Sequence, residues 1–71
     1  MIGGIMRAKL IQTGADLTRL RERLGMTQEE MAAALGVSGR RAVSHWEHGR
    51  RAIHPMVARL CWYLERHGPI P

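Results

Sequence analysis

An all-α fold is what this sequence predicts, and three observations predict it. From Thr13 to Gly68 the chain is punctuated at regular intervals by residues that start and stop helices. Between those marks the apolar residues recur at helical spacing. No β-hairpin signal, internal repeat or long low-complexity run competes with the pattern. A chain of 71 residues is expected to hold one domain, with no separate catalytic or effector-binding domain beside it. So small a core supplies little stability, and a second subunit is one common way to gain more.

Residues 1–12 carry no helix cap, and the pair Gly3-Gly4 in a mixed pattern predicts a mostly irregular extension, with a short strand around Lys9 to Gln12 as the alternative. Thr13, followed three residues later by Asp16, is the N-cap of a first helix whose Leu17, Leu20 and Leu24 share one face; Gly25 stops it. Thr27-Gln28-Glu29-Glu30 is a capping box, in which hydroxyl and carboxylate each satisfy an amide that the helix leaves orphaned. Met31, Ala34 and Leu35 form the buried stripe of this second helix, and Gly36 ends it. Ser38 is the expected cap of a third helix running to about His48, with Val43 and Trp46 inward and Gly49 as terminator. Pro55 suits the first turn of a fourth, whose Val57, Leu60, Cys61 and Leu64 make an i, i+3, i+4, i+7 stripe ending at Gly68-Pro69. The expected organisation is an extension over 1–12, a four-helix domain over 13–68 and a tail over 69–71.

Eleven Lys and Arg stand against six Asp and Glu, a net charge of +5, and ten of the eleven cations are Arg. The planar guanidinium donates two parallel hydrogen bonds to phosphates and guanine edges, so a polyanion is the first partner to expect. A lone Cys61 excludes an internal disulfide and fits a reducing compartment. Nothing resembles a signal peptide or a membrane-spanning run, so a cytoplasmic protein with no membrane partner is expected. His45, His48 and His54 lack the cysteines or carboxylates of a zinc pattern, and no nucleophile, base and orienter set is visible. No metal, cofactor, small-molecule effector or catalytic residue is expected.

Helix two, a short Gly-containing turn and helix three are together the signature of a helix-turn-helix. The stretch Leu20-Arg21-Glu22-Arg23-Leu24-Gly25-Met26-Thr27-Gln28-Glu29-Glu30-Met31-Ala32-Ala33-Ala34-Leu35-Gly36-Val37-Ser38, with Val43-Ser44-His45-Trp46-Glu47-His48-Gly49, resembles the phage repressor and Cro (XRE-like) helix-turn-helix family over about residues 13 to 67. Caps, glycines, apolar positions and the Trp-Glu-x-Gly exit agree in order. The resemblance implies a lambda-repressor-like domain whose third helix enters the major groove. It gives base contacts to Arg40, Arg41, Ser44 and His45, and phosphate contacts to Thr27, Gln28 and Ser38. Arg50 and Arg51, just past helix three, look like a second phosphate clamp. It also pairs Glu47 with Arg21 as a structural ion pair.

The residues themselves support part of this. Ser44 and His45 project away from the Val43/Trp46 stripe, and two Arg at a helix start oppose its dipole, a local cost that an external anion would relieve. Between Ser38 and Val43 the chain has four residues, Gly39-Arg40-Arg41-Ala42, where the family pattern has three. The extra residue either lengthens the turn or extends the helix. The family's usual fifth helix is not expected within this sequence.

Trp62 lies roughly 150° from the centre of the fourth helix's stripe and is expected to be exposed in a monomer, where it would anchor a dimer interface. The function expected is a homodimeric repressor, of the kind found as small regulators of phages and mobile elements, bound to double-stranded DNA at an inverted repeat. An antitoxin or other protein-interaction module is the alternative. His48 and His54 read as plain surface residues, and Cys61 as a small core hydrophobe.

Overall fold

The computed structural model describes residues 11–68. The expectations for residues 1–10 and 69–71 lie outside that span. Within it there are four helices and no strand: α1 (Gly14–Arg23), α2 (Gln28–Leu35), α3 (Arg40–Glu47) and α4 (Pro55–His67). Ile11 and Gln12 are not in a strand; Ile11 is half-buried against the core, and the Gln12 amide donates to Asp16 Oδ2 at 3.1 Å.

The expected capping box at Thr27 forms, and the expected N-cap Thr13 forms one as well with Asp16. Thr13 accepts from the Asp16 amide and Thr27 from the Glu30 amide, while each acidic side chain returns a bond to the amide of its cap residue. Each box satisfies two amides that the first turn leaves without partners. Asp16 also pairs with Arg19 at 2.7 Å. Its carboxyl is held below the ordinary range chiefly by the Gln12 amide, against the opposing effect of burial, with help from Thr13 and Arg19. The N-cap of α4 is His54, whose Nδ1 accepts from the Met56 amide at 3.0 Å. His54 was expected to be a plain surface residue; it is exposed, but it also caps a helix.

Leu17 and Leu20 of α1, Met31, Ala32 and Leu35 of α2, Val43 and Trp46 of α3, and Cys61 and Leu64 of α4 form one buried cluster. α1 and α2 each pack against both α3 and α4, so every helix contributes to the same core. In α2 the expected stripe of Met31, Ala34 and Leu35 needs a correction: Ala32 is buried and Ala34 only half-buried. A helix with neighbours on both flanks buries a wider arc than a single i, i+3, i+4 stripe. Ala58 of α4 is buried for a similar reason, beyond the expected stripe.

Gly14 is needed where the start of α1 meets the end of α3. A Cβ built there would run into the carbonyl oxygens of Trp46 and Glu47, which are backbone and have nowhere to go. The close approach sets the positive end of α1 beside the negative end of α3 and fixes where α3 stops relative to the rest of the domain.

Candidate nucleic-acid interface

The start of α3 differs from the expectation. Gly39, not Ser38, is the N-cap, its backbone extended, and no side chain caps this helix. Ser38 is exposed and lies one residue before the cap. Capping from Ser38 would draw Gly39 into the helix at a cost of about 1 kcal/mol, while Ser exceeds Gly as a cap by only a few tenths. The extra residue therefore lengthens the turn, and one turn of α3 separates its cap at Gly39 from the buried Val43. With Val43 fully buried and Trp46 nearly so, the opposite side of α3 faces outward.

Gly39, Arg40, Arg41, Ser44, His45, His48 and Arg50 surround one open concavity of about 520 Å³. Arg50 reaches it because Gly49 adopts the left-handed conformation. The chain then folds back so that the Arg50 amide donates to the His45 carbonyl at 2.8 Å. Four of these lining residues, Arg40, Arg41, Ser44 and His45, are those expected to face base edges. No acid lines the concavity. Among the described residues the ion pairs are Arg19–Asp16, Arg21–Glu47 and Arg23–Glu65, and none engages Arg40, Arg41, Arg50 or Arg51.

A second concavity is lined by Arg21, Thr27, Gln28, Glu29 and Arg40. Arg40 thus belongs to both, joining the outer face of α3 to the start of α2. Ser38 and Arg51 are exposed and line neither. Thr27 spends its hydroxyl on its own cap, and the Gln28 amide donates to Glu47 Oε1 at 3.1 Å.

Glu47 collects several donors. Arg21 donates from Nε at 2.7 Å to Oε2 and from Nη2 at 3.3 Å to Oε1, and its Nη1 donates to the Met26 carbonyl at 3.0 Å. Burial pushes the Glu47 carboxyl up, but Arg21, Gln28 and Thr18 outweigh it and hold the group below the ordinary carboxylate range. The Glu47 hydrogen bond raises Arg21 in turn, over the opposing effect of burial. The ion pair ties α1 to the end of α3, and Gln28 ties the start of α2 to the same carboxylate. The orientation of α3 against the other two helices is thereby braced at the end opposite Gly39.

The sequence reading missed His48, whose ring lines the α3 concavity. Its place four residues after Ser44, on the outer side of a helix whose inner side is Val43 and Trp46, was the available signal.

Trp62 is half-buried, not exposed as expected, and the Arg66 guanidinium lies over its ring, 4.9 Å from the centroid. The large apolar side chains that α4 does expose are Met56 and Tyr63, the latter stacked against His67 at 4.4 Å. Arg66 follows Trp62 by four residues on the same helix, the spacing at which two side chains on a helix surface meet, so this cover is local to α4.

Among the described residues no helix is long and apolar enough to cross a membrane, and no group of three His, Cys, Asp or Glu side chains is placed to hold a metal ion. No curated protein matches the chain in sequence. A model of the helix-turn-helix family matches residues 17–61, which take in α1 from Leu17, all of α2 and α3, and α4 as far as Cys61. That span covers the braced helices, the lengthened turn and both concavities, and so the chain belongs to the XRE-type helix-turn-helix family of DNA-binding transcriptional regulators.

Proposed function

We propose that this protein is a repressor that binds an inverted-repeat operator as a homodimer, with α3 of each copy in the major groove. The observation that carries this reading is the single concavity in which Arg40, Arg41, Ser44, His45 and Arg50 converge with no acid among them. Arg40, Arg41, Ser44 and His45 read base edges. Thr27, Gln28, Ser38, Arg50 and Arg51 hold phosphates, with the unbonded N–H of the Gln28 amide and the amides at the start of α2 as donors. Arg21 and Glu47 keep α3 in register for both tasks.

One helix-turn-helix spans few base pairs, so useful specificity calls for two copies on half-sites about 34 Å apart. Exposed Met56 and Tyr63 on α4, beside Trp62, favour this helix as the self-complementary surface. Repression follows by occlusion of a promoter.

Selection of bound fragments from a random duplex pool tests the reading directly. A single enriched inverted repeat is the expected result; no enrichment over input refutes it. On the selected duplex, Arg41→Ala is expected to cost about 1–3 kcal/mol and relax one base position, whereas Arg50→Ala weakens all duplexes alike. Equal losses from Arg41→Ala on selected and mixed DNA would remove Arg41 from the readout set. Trp62→Glu is expected to dissociate the dimer in sedimentation; a dimer retained with operator affinity intact moves the interface elsewhere.

A further inference from the structure

We propose that His48 is a DNA contact whose Nε2 takes up a proton from solvent when the duplex binds, so that affinity rises as pH falls. This rests on the DNA-binding reading above and adds to it a residue and a linked equilibrium. The geometry begins at the end of α3, where His48 Nδ1 lies 2.8 Å from the Ser44 carbonyl oxygen and 3.3 Å from Ser44 Oγ. A carbonyl oxygen only accepts, so Nδ1 carries the hydrogen and Nε2 is the position left to gain or lose a proton. Protonation there costs no tautomer change and leaves the bond to Ser44 intact. It also places a cation at the C-terminal end of a helix, where the dipole favours one.

The groups around the ring set the sign of the linkage. From α3 and the turns beside it, the concavity is lined by Arg40, Arg41, His45 and Arg50. Glu47, the adjacent acid, is turned to Arg21 and Gln28, and Glu29 of α2 lines the neighbouring concavity. A duplex therefore brings the anions to a hollow whose own charges are cationic. A phosphate oxygen there accepts from a protonated Nε2, and the complex holds more protons than its separated parts. His45 shares the hollow, but none of the described hydrogen bonds fixes its ring.

The test measures affinity for the selected duplex, and for a mixed-sequence duplex of equal length, between about pH 8 and about pH 6, where imidazoles titrate. Each proton taken up steepens binding by up to about tenfold per pH unit. Wild type is expected to gain affinity on both duplexes as pH falls. His48→Gln, which keeps a polar side chain but cannot titrate, is expected to bind more weakly and to lose most of one proton's slope. Calorimetry in two buffers of different ionisation enthalpy should count net proton uptake for wild type and less for His48→Gln. Binding with no proton uptake, a slope unchanged in His48→Gln, or a slope lost only in His45→Gln overturns the assignment and leaves DNA binding standing. Failure to bind either duplex at any pH overturns the underlying reading as well.

Discussion

Glu47→Gln keeps the shape of the side chain and removes its charge, which makes it a direct test of how α3 is braced. The Glu47 side chain is 6% exposed and its partner Arg21 16%, so the pair stands between a surface ion pair and a fully buried one. Removing one partner of a buried pair costs about 3–5 kcal/mol, because the other charge is left uncompensated. Arg21 would keep its bond to the Met26 carbonyl and some water, which reduces the cost to about 2–3 kcal/mol. Domains of this size hold about 4–11 kcal/mol in all, so the loss is a large fraction. It corresponds to a fall in Tm of about 10–20 °C. Thermal melts followed by far-ultraviolet circular dichroism measure it at neutral pH. The pH dependence gives a second readout. Because folding lowers the Glu47 pKa, its stabilisation is complete above the ordinary value of 4.5 and is lost as pH falls through the lower folded value. Glu47→Gln lacks that component, so the stability gap between it and wild type should narrow on acidification. A Tm within about 3 °C of wild type, or a gap that stays constant down to acid pH, would refute the bracing argument.

Gly14→Ala is expected to destabilise the domain by at least about 1–3 kcal/mol, since the new methyl meets the backbone carbonyls of Trp46 and Glu47; a denaturant midpoint equal to wild type contradicts the close approach. Gly39→Asp has open space for its side chain and supplies the missing cap of α3, so stability should rise by roughly 0.5–1 kcal/mol in denaturant melts. The same change places an anion beside Arg40 and Arg41, and DNA affinity should fall; a parallel gain in both properties would mean that the start of α3 does not face phosphate or bases. The Cys61 thiol is fully buried, and burial pushes its pKa up to about 11. Labelling by a thiol reagent near neutral pH should therefore track opening of the fold. A reaction rate independent of added stabiliser or denaturant would place the thiol at the surface.

How much was legible in the sequence follows from how far each feature reaches along the chain. The capping boxes at Thr13 and Thr27 join residues three apart, and the stops at Gly25, Gly36 and Gly49 act within one turn, so four helices and their approximate ends were readable without any tertiary contact. The same holds for part of the outer face of α3: once Val43 and Trp46 are inward, the geometry of a helix sends Ser44 and His45 the other way, while the resemblance to the family supplied Arg40 and Arg41. Resemblance to the family supplied the pairing of Arg21 with Glu47, which lie 26 residues apart and which no local pattern joins.

Tertiary structure decided what depends on neighbours distant in sequence. Ala32 is buried because α2 has helices on both flanks, and packing leaves Met56 and Tyr63 as the exposed large apolar residues of α4. The choice between Ser38 and Gly39 as the cap of α3 turned on a balance of tenths of a kcal/mol, finer than residue preference resolves. Gln28 reads locally as the first residue of a helix, yet its amide is engaged by a carboxylate at the end of another. Local chemistry thus determined which helices this protein forms and which side of α3 faces out, while the packing of α1, α2 and α4 around that helix decided which further side chains stand beside it, because burial and hydrogen-bond partnership depend on distance in space and not on separation along the chain.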